Sequence, residues 1–123
     1  MNVVHLLGTV VTEPNLQETN DGRKVCRFRL RTPNGKGKDR QPRSPDYHHL
    51  VIWGKGPDDP HPENVHKILK PGRIVAISGR ITENRWISKT DNQERSRTEI
   101  VVANIEFINP PTPYQKEEEI VDA

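Results

Sequence analysis

The sequence predicts an all-β protein: a small five-stranded Greek-key barrel, with one short helix between its third and fourth strands and an extended hairpin between its fourth and fifth. Three observations lead there. Apolar residues alternate with polar ones in five short stretches, the period of a half-buried strand. Clusters of Gly, Pro, Asn and Asp punctuate those stretches. Only one segment, between Pro62 and Pro71, spaces its apolar residues as a helix does.

The first strand spans 3–11, where Val4, Leu6, Gly8 and Val10 alternate with Val3, His5, Leu7 and Thr9, and Glu13-Pro14-Asn15 ends it. Thr19-Asn20-Asp21-Gly22 is a turn signal. The second strand spans 23–32. Cys26, Phe28 and Leu30 face inward there, and Arg27, Arg29 and Arg31 face outward. The Gly-, Pro- and Lys/Arg-rich stretch 33–45 reads as a loop, mobile when nothing is bound. The third strand covers 47–53. Side chains alternate along it, so Leu50 and Ile52 point to the core, and Tyr47, His49, Val51 and Trp53 share the other face. Two readings of those rings stand at this point. Either both are core in a strand buried on two sides, or both lie on an open face that suits flat π-systems such as unpaired bases.

Val65, Ile68 and Leu69 form the helix's apolar stripe, with Pro62 near its first turn and Pro71-Gly72 as its stop. The fourth strand is 73–81. A hairpin loop over 82–96 carries Trp86, and the fifth strand is 97–108. Three strands, a helix and two strands is the order of an OB-fold, which binds oligonucleotides on its strand 2–3 face and hairpin loops. The arginine stripe and the Tyr47/Trp53 pair lie on those two strands, which favours the open-face reading.

Composition agrees with one small domain at 1–108 followed by a short, flexible acidic tail at 109–123. Apolar residues make up 31% and charged residues 29%, with a mean hydropathy of −0.86, so the core is modest and oligomer contacts are expected to support it. The net charge of +2 hides an asymmetry. Residues 1–108 hold 18 Lys and Arg against 13 Asp and Glu, a surplus of five, whereas 109–123 set Lys116 against Glu117, Glu118, Glu119 and Asp122. Nine of the basic residues crowd into 23–43 with Asp39 as the one acid, an electrostatic footprint for a polyanion. A single cysteine, Cys26, allows no intrachain disulfide and fits a reducing cytoplasm. No apolar run reaches membrane-span length, and the N-terminus lacks the basic start of a signal peptide. A cytoplasmic, nucleoid-associated location is the expectation.

Five motifs taken in order resemble the bacterial single-stranded DNA-binding proteins over about 1–108. They are Val4-His5-Leu6-Leu7-Gly8-Thr9-Val10 with Glu13-Pro14; Gly22 through Leu30; Tyr47-His48-His49-Leu50-Val51-Ile52-Trp53-Gly54-Lys55; Leu69-Lys70-Pro71-Gly72 through Ser78-Gly79-Arg80-Ile81; and Arg85-Trp86 with Asp91 and Thr98-Glu99-Ile100-Val101-Val102. No one motif is specific, but five with matching gaps are. The resemblance implies base stacking on Tyr47, Trp53 and Trp86. It places His48 near a subunit contact and makes a homo-oligomer, a tetramer, the expected assembly, with Val3, His5 and His48 at its interface. The chain departs from the family pattern in four places. His49 stands where Arg is usual, and 33–45 has no aromatic residue. The segment 56–62 is Pro-rich. The tail ends Glu119-Ile120-Val121-Asp122-Ala123, without a Gly/Gln-rich linker or the usual acidic, apolar, Pro, Phe ending through which replication and repair proteins are recruited.

The function expected is binding of single-stranded DNA in replication, recombination and repair, without chemistry and largely without sequence preference. Basic residues neutralise phosphates and release counterions, and rings stack bases at about 1–3 kcal/mol each. The expected phosphate contacts are Arg27, Arg29, Arg31, Lys36, Lys38, His49, Lys55, Arg80 and Arg85. Two rivals are a primosome-like OB adaptor that binds protein as well as DNA, and an RNA-binding OB module, which the 2′-OH would distinguish. Enzymatic readings find little support. Asp58-Asp59 lies among prolines and reads as a turn cap. His61 and His66 are five residues apart, with too few partners for zinc. No nucleophile-elbow, phosphate-loop or metalloprotease motif occurs. No metal or other cofactor is expected.

Overall fold

Alternation in the 24–32 segment organises the molecule. Cys26, Phe28 and Leu30 are buried on one side, while Arg29 and Arg31 are exposed on the other. The structure, a computed structural model, describes residues 1–108, so the acidic tail at 109–123 lies outside the described residues. Its elements are β1 (Val4–Val10), β2 (Asn15–Glu18), β3 (Lys24–Thr32), β4 (Asp46–Trp53), α1 (His61–Ile68), β5 (Ile74–Ile87) and β6 (Glu94–Phe107).

The sheet runs β1-β5-β6-β4-β3-β2, and β1 also pairs with β3. That last pairing closes β1, β5, β6, β4 and β3 into a five-stranded ring, leaving β2 as an added edge on β3. Every pairing is antiparallel except β4 with β6. This is the expected OB-fold barrel. Closure requires close backbone approach at two glycines. A Cβ on Gly8 would stand 2.3 Å from the Arg31 carbonyl oxygen, and one on Gly79 would stand 2.1 Å from that of Val101. Gly79 also sits at the register shift where β5 and β6 slip by one residue.

The core gathers Val10, Cys26, Phe28, Leu30, Leu50, Ile52, Val75, Ile77 and Ile100 from the ring, with Val65 and Leu69 contributed by α1 and its end. Asp59 sets up the helix. Its carboxylate accepts the backbone N–H of Lys55 at 2.8 Å and of His61 at 3.0 Å. These two hydrogen bonds hold its carboxyl below the usual carboxylate range. Gly72, at φ 94°, turns the chain into β5. No helix among the described residues is long and apolar enough to cross a membrane.

Three sequence expectations change. First, β2 is a sixth strand where a turn-rich connection was expected. Leu16 is its only apolar residue, so no alternation announces it, and it forms because β3 offers a free ladder edge (Leu16 opposite Cys26). Second, the long hairpin is strand almost to its tip: pairing continues to Ile87 opposite Glu94, leaving a short turn with Asn92 at φ 57°. Ladder hydrogen bonds satisfy the backbone whatever the side chains, so Thr82-Glu83-Asn84-Arg85 is strand without apolar periodicity. Third, Val25 and Val51 are buried although they sit on the face that was expected to be open. The loop 33–45 also carries its own small pairing, with Lys36 opposite Pro42 and Asn34 Nδ2 donating to the Ser44 carbonyl at 2.8 Å.

Candidate nucleic-acid interface

Register assembles the interface. On β3 and β4, Arg31 lies opposite Tyr47, Arg29 opposite His49, Arg27 opposite Val51 and Val25 opposite Trp53. Directly opposed residues share a face, so the arginine stripe and both rings stand together on the outside of the barrel. The parallel β4–β6 pairing brings Glu99 beside His49 and Val101 beside Val51. Across β6, Thr82 lies opposite Glu99, Asn84 opposite Arg97 and Trp86 opposite Arg95. The outer face of β3, β4, β6 and the hairpin therefore holds Tyr47, Trp53 and Trp86 with Arg27, Arg29, Arg31, Arg95 and Arg97. Along β4, Tyr47 and Trp53 are six positions apart, about 20 Å.

Tyr47 is 49% and Trp86 41% exposed, and Trp53 is half-buried. Each ring has an arginine over it. Arg23 lies 4.9 Å from the Trp53 centroid, Arg29 4.9 Å from that of Tyr47, and Arg97 5.6 Å from that of Trp86. In each case the arginine leans diagonally, from the position two residues beyond the one opposite the ring. Beneath them Glu99, only 4% exposed, accepts from Arg27 Nη1 at 2.6 Å and Arg97 Nη2 at 2.9 Å. Thr12, Arg27, Arg29, His49, Arg97 and Glu99 help line a cleft of about 200 Å³ here. Burial, and then the Arg97 and Arg29 charges, push the His49 imidazole below its ordinary value, with Glu99 opposing them.

The other expected contacts are spread more widely. Lys36 and Lys38 are exposed in the 33–45 loop, and Lys55 is exposed just past Trp53. Arg80 is exposed farther round the barrel, lining a cleft with Val3 and His5. Arg85 lies on the opposite face of the hairpin from Trp86 and pairs with Glu83 at 2.6 Å. Arg27 is committed to Glu99. Val3, just before β1, and His5 on it are exposed. His48 points to the opposite side from Tyr47, with Nε2 2.9 Å from Thr32 Oγ1.

Sequence reasoning missed Arg23, Arg95, Arg97 and Glu99 as members of this surface. Arg23 was visible within the basic run. Arg97 and Glu99 carry no local signal, because only the non-local β4–β6 pairing sets them beside His49.

Comparisons with known proteins agree with this fold. A solved structure described as a Plasmodium falciparum SSB complex with ssDNA superposes with a TM-score of 0.73, covering 89% of this chain and 96% of that one at 24% identity, a likeness of fold. Single-stranded DNA-binding protein 1 of Synechocystis is 28% identical over 108 residues, 88% of this chain and 84% of the relative. Single-stranded DNA-binding protein 1 of Chlorobaculum tepidum is 31% identical, and the protein of Bacillus cereus 29%. The matched region spans 65% and 61% of those two relatives. The family model described as "Single-strand binding protein family" matches residues 1–108, and the chain belongs to that family.

Proposed function

We propose that this protein binds and protects single-stranded DNA during replication, recombination and repair, without chemistry and largely without regard to base sequence. One observation carries the reading: Tyr47, Trp53 and Trp86 share one outer face with a band of arginines. Rings with exposed faces take bases of any identity, and cations take the phosphates between them. Duplex hides its base faces, so preference for single strands follows. Family membership favours this reading over an adaptor or an RNA module.

In this reading Tyr47, Trp53 and Trp86 stack bases. Arg29, Arg31, Lys36, Lys38, Lys55 and Arg80 supply phosphate contacts, and Arg27, His49 and Arg85 contribute under narrower conditions because of the surroundings described above. The working assembly is a homotetramer joined through the β1 side, where Val3, His5 and Leu7 are exposed, with His48 near a contact. The acidic segment 109–123 is dispensable for DNA binding and competes mildly with phosphate at low salt. The setting is the cytoplasmic nucleoid.

The test is titration with oligo-dT, oligo-rU and duplex while intrinsic tryptophan emission is followed. Strong quenching by oligo-dT, weaker by oligo-rU and slight by duplex is expected. An unquenched protein overturns the reading, and equal quenching by oligo-rU replaces DNA with RNA as the ligand. Sedimentation showing a monomer at micromolar concentration overturns the tetramer.

A further inference from the structure

We infer that Arg23, Arg29 and Arg97 are place-holders on the three rings: each covers, in the free protein, the ring face that a base takes in the complex, and each moves from that face to a phosphate when the base arrives. The inference rests on the reading of the interface proposed above.

The arrangement repeats too closely to be treated as three separate accidents. The guanidinium-to-centroid distances are 4.9, 4.9 and 5.6 Å, within the range of a cation–π contact. All three arginines reach their ring along the sheet diagonal. A guanidinium is flat, cationic and weakly hydrated, so it lies well on an aromatic face. It covers one face of a ring that stands partly exposed on the barrel. A base stacks on the same surface, and the two cannot share it.

The displaced cation does not go far. Each nucleotide brings a phosphate together with its base, so one exchange supplies stacking and charge neutralisation at once. The arginines are held otherwise only by contacts they can leave. Arg23 pairs with the exposed Asp21 at 3.1 Å. Arg97 donates to Glu99, which keeps Arg27 as a second partner when Arg97 departs. Arg31, on the same stripe, has no ring beneath it among the described residues and is an ordinary phosphate contact.

The fold contains its own control. Arg73 lies 4.7 Å from the Phe107 centroid, a pair of the same geometry, but it is only 5% exposed and no base can reach it.

The experiment uses the full chain with isotopically labelled arginine. Cδ–Hδ correlations are recorded free and with oligo-dT at saturation, saturation being judged by tryptophan quenching. Ring currents should shift the Hδ resonances of Arg23, Arg29, Arg73 and Arg97 upfield in the free protein. Oligo-dT should abolish the shift for Arg23, Arg29 and Arg97 and leave Arg73 unmoved. Saturation with all four shifts retained means that bases use other ring faces, and the place-holder inference falls while single-strand binding stands. Failure of oligo-dT to bind removes both. Separately, Arg23→Gln and Arg97→Gln should each lower the slope of log affinity against log salt by about 1. Unchanged slopes in folded variants overturn the transfer to phosphate.

Discussion

Arg27 and Glu99 stand 72 residues apart in the chain, yet Arg27 Nη1 donates to Glu99 Oε2 at 2.6 Å, on a carboxylate that is nearly inaccessible. A buried anion thus underlies a face read as a polyanion site, and it ties β3 to β6 across β4.

Glu99→Ala should therefore lower stability by about 1–2 kcal/mol, because it removes two charge-assisted hydrogen bonds that join β3 to β6, whereas the two arginines left behind still reach solvent. It should also strengthen oligo-dT binding at low salt, since both guanidiniums become free for phosphate. Urea unfolding and salt-dependent titration measure the two effects. A variant that melts lower and also binds more weakly would show that Glu99 shapes the face rather than restraining it.

Trp86→Ala should weaken oligo-dT binding by about 1–3 kcal/mol and leave the melting temperature nearly unchanged, because the ring is partly exposed and sits on a hairpin that extends from the barrel rather than in the core. Trp53→Ala should weaken binding by a similar amount. It should also lower stability modestly, since the half-buried indole stands beside buried Val25 and Val51. Neither change should alter the salt slope. Full-strength binding by folded Trp53→Ala protein would remove the stacking role.

Gly8→Ala and Gly79→Ala should each destabilise the fold by about 2–3 kcal/mol, read as a shift of the denaturant midpoint. Both added methyls would meet backbone carbonyls, which cannot rotate away as a flexible side chain can. Gly56→Ala, with open space around its Cβ position, is the matched control and should change little.

His49 gives the pH dependence. Its folded-state value is lowered, first by burial and then by Arg97 and Arg29, so the folded protein holds this proton less tightly than the unfolded chain does. Its contribution to stability is complete above the ordinary value of 6.5 and declines as pH falls through 6.5 toward the lowered folded-state value. Phosphate has the opposite preference and favours imidazolium, so oligo-dT affinity should rise over the same acid range. His49→Gln should flatten both trends relative to the parent protein, as followed by thermal melts and titrations across pH. Affinity that falls on acidification in the parent but not in the variant would exclude His49 as a phosphate contact.

The sequence by itself determined the barrel and most of the side chains that stand on its candidate interface. Alternation in 24–32 and 47–53 reports directly which side chains leave the core, and turn residues mark where strands stop, so Tyr47, Trp53 and the arginine stripe were legible locally. Tertiary structure decided what those residues meet. The β2 strand exists because β3 has an open edge, and the hairpin runs long because paired backbones need no apolar pattern. Val51 is buried on the outward face because β3 and β6 flank it there. Glu99, Arg97 and the arginine over each ring depend on register between strands distant in sequence. Periodicity assigns a side chain to a face, but only the closed sheet selects its neighbours on that face.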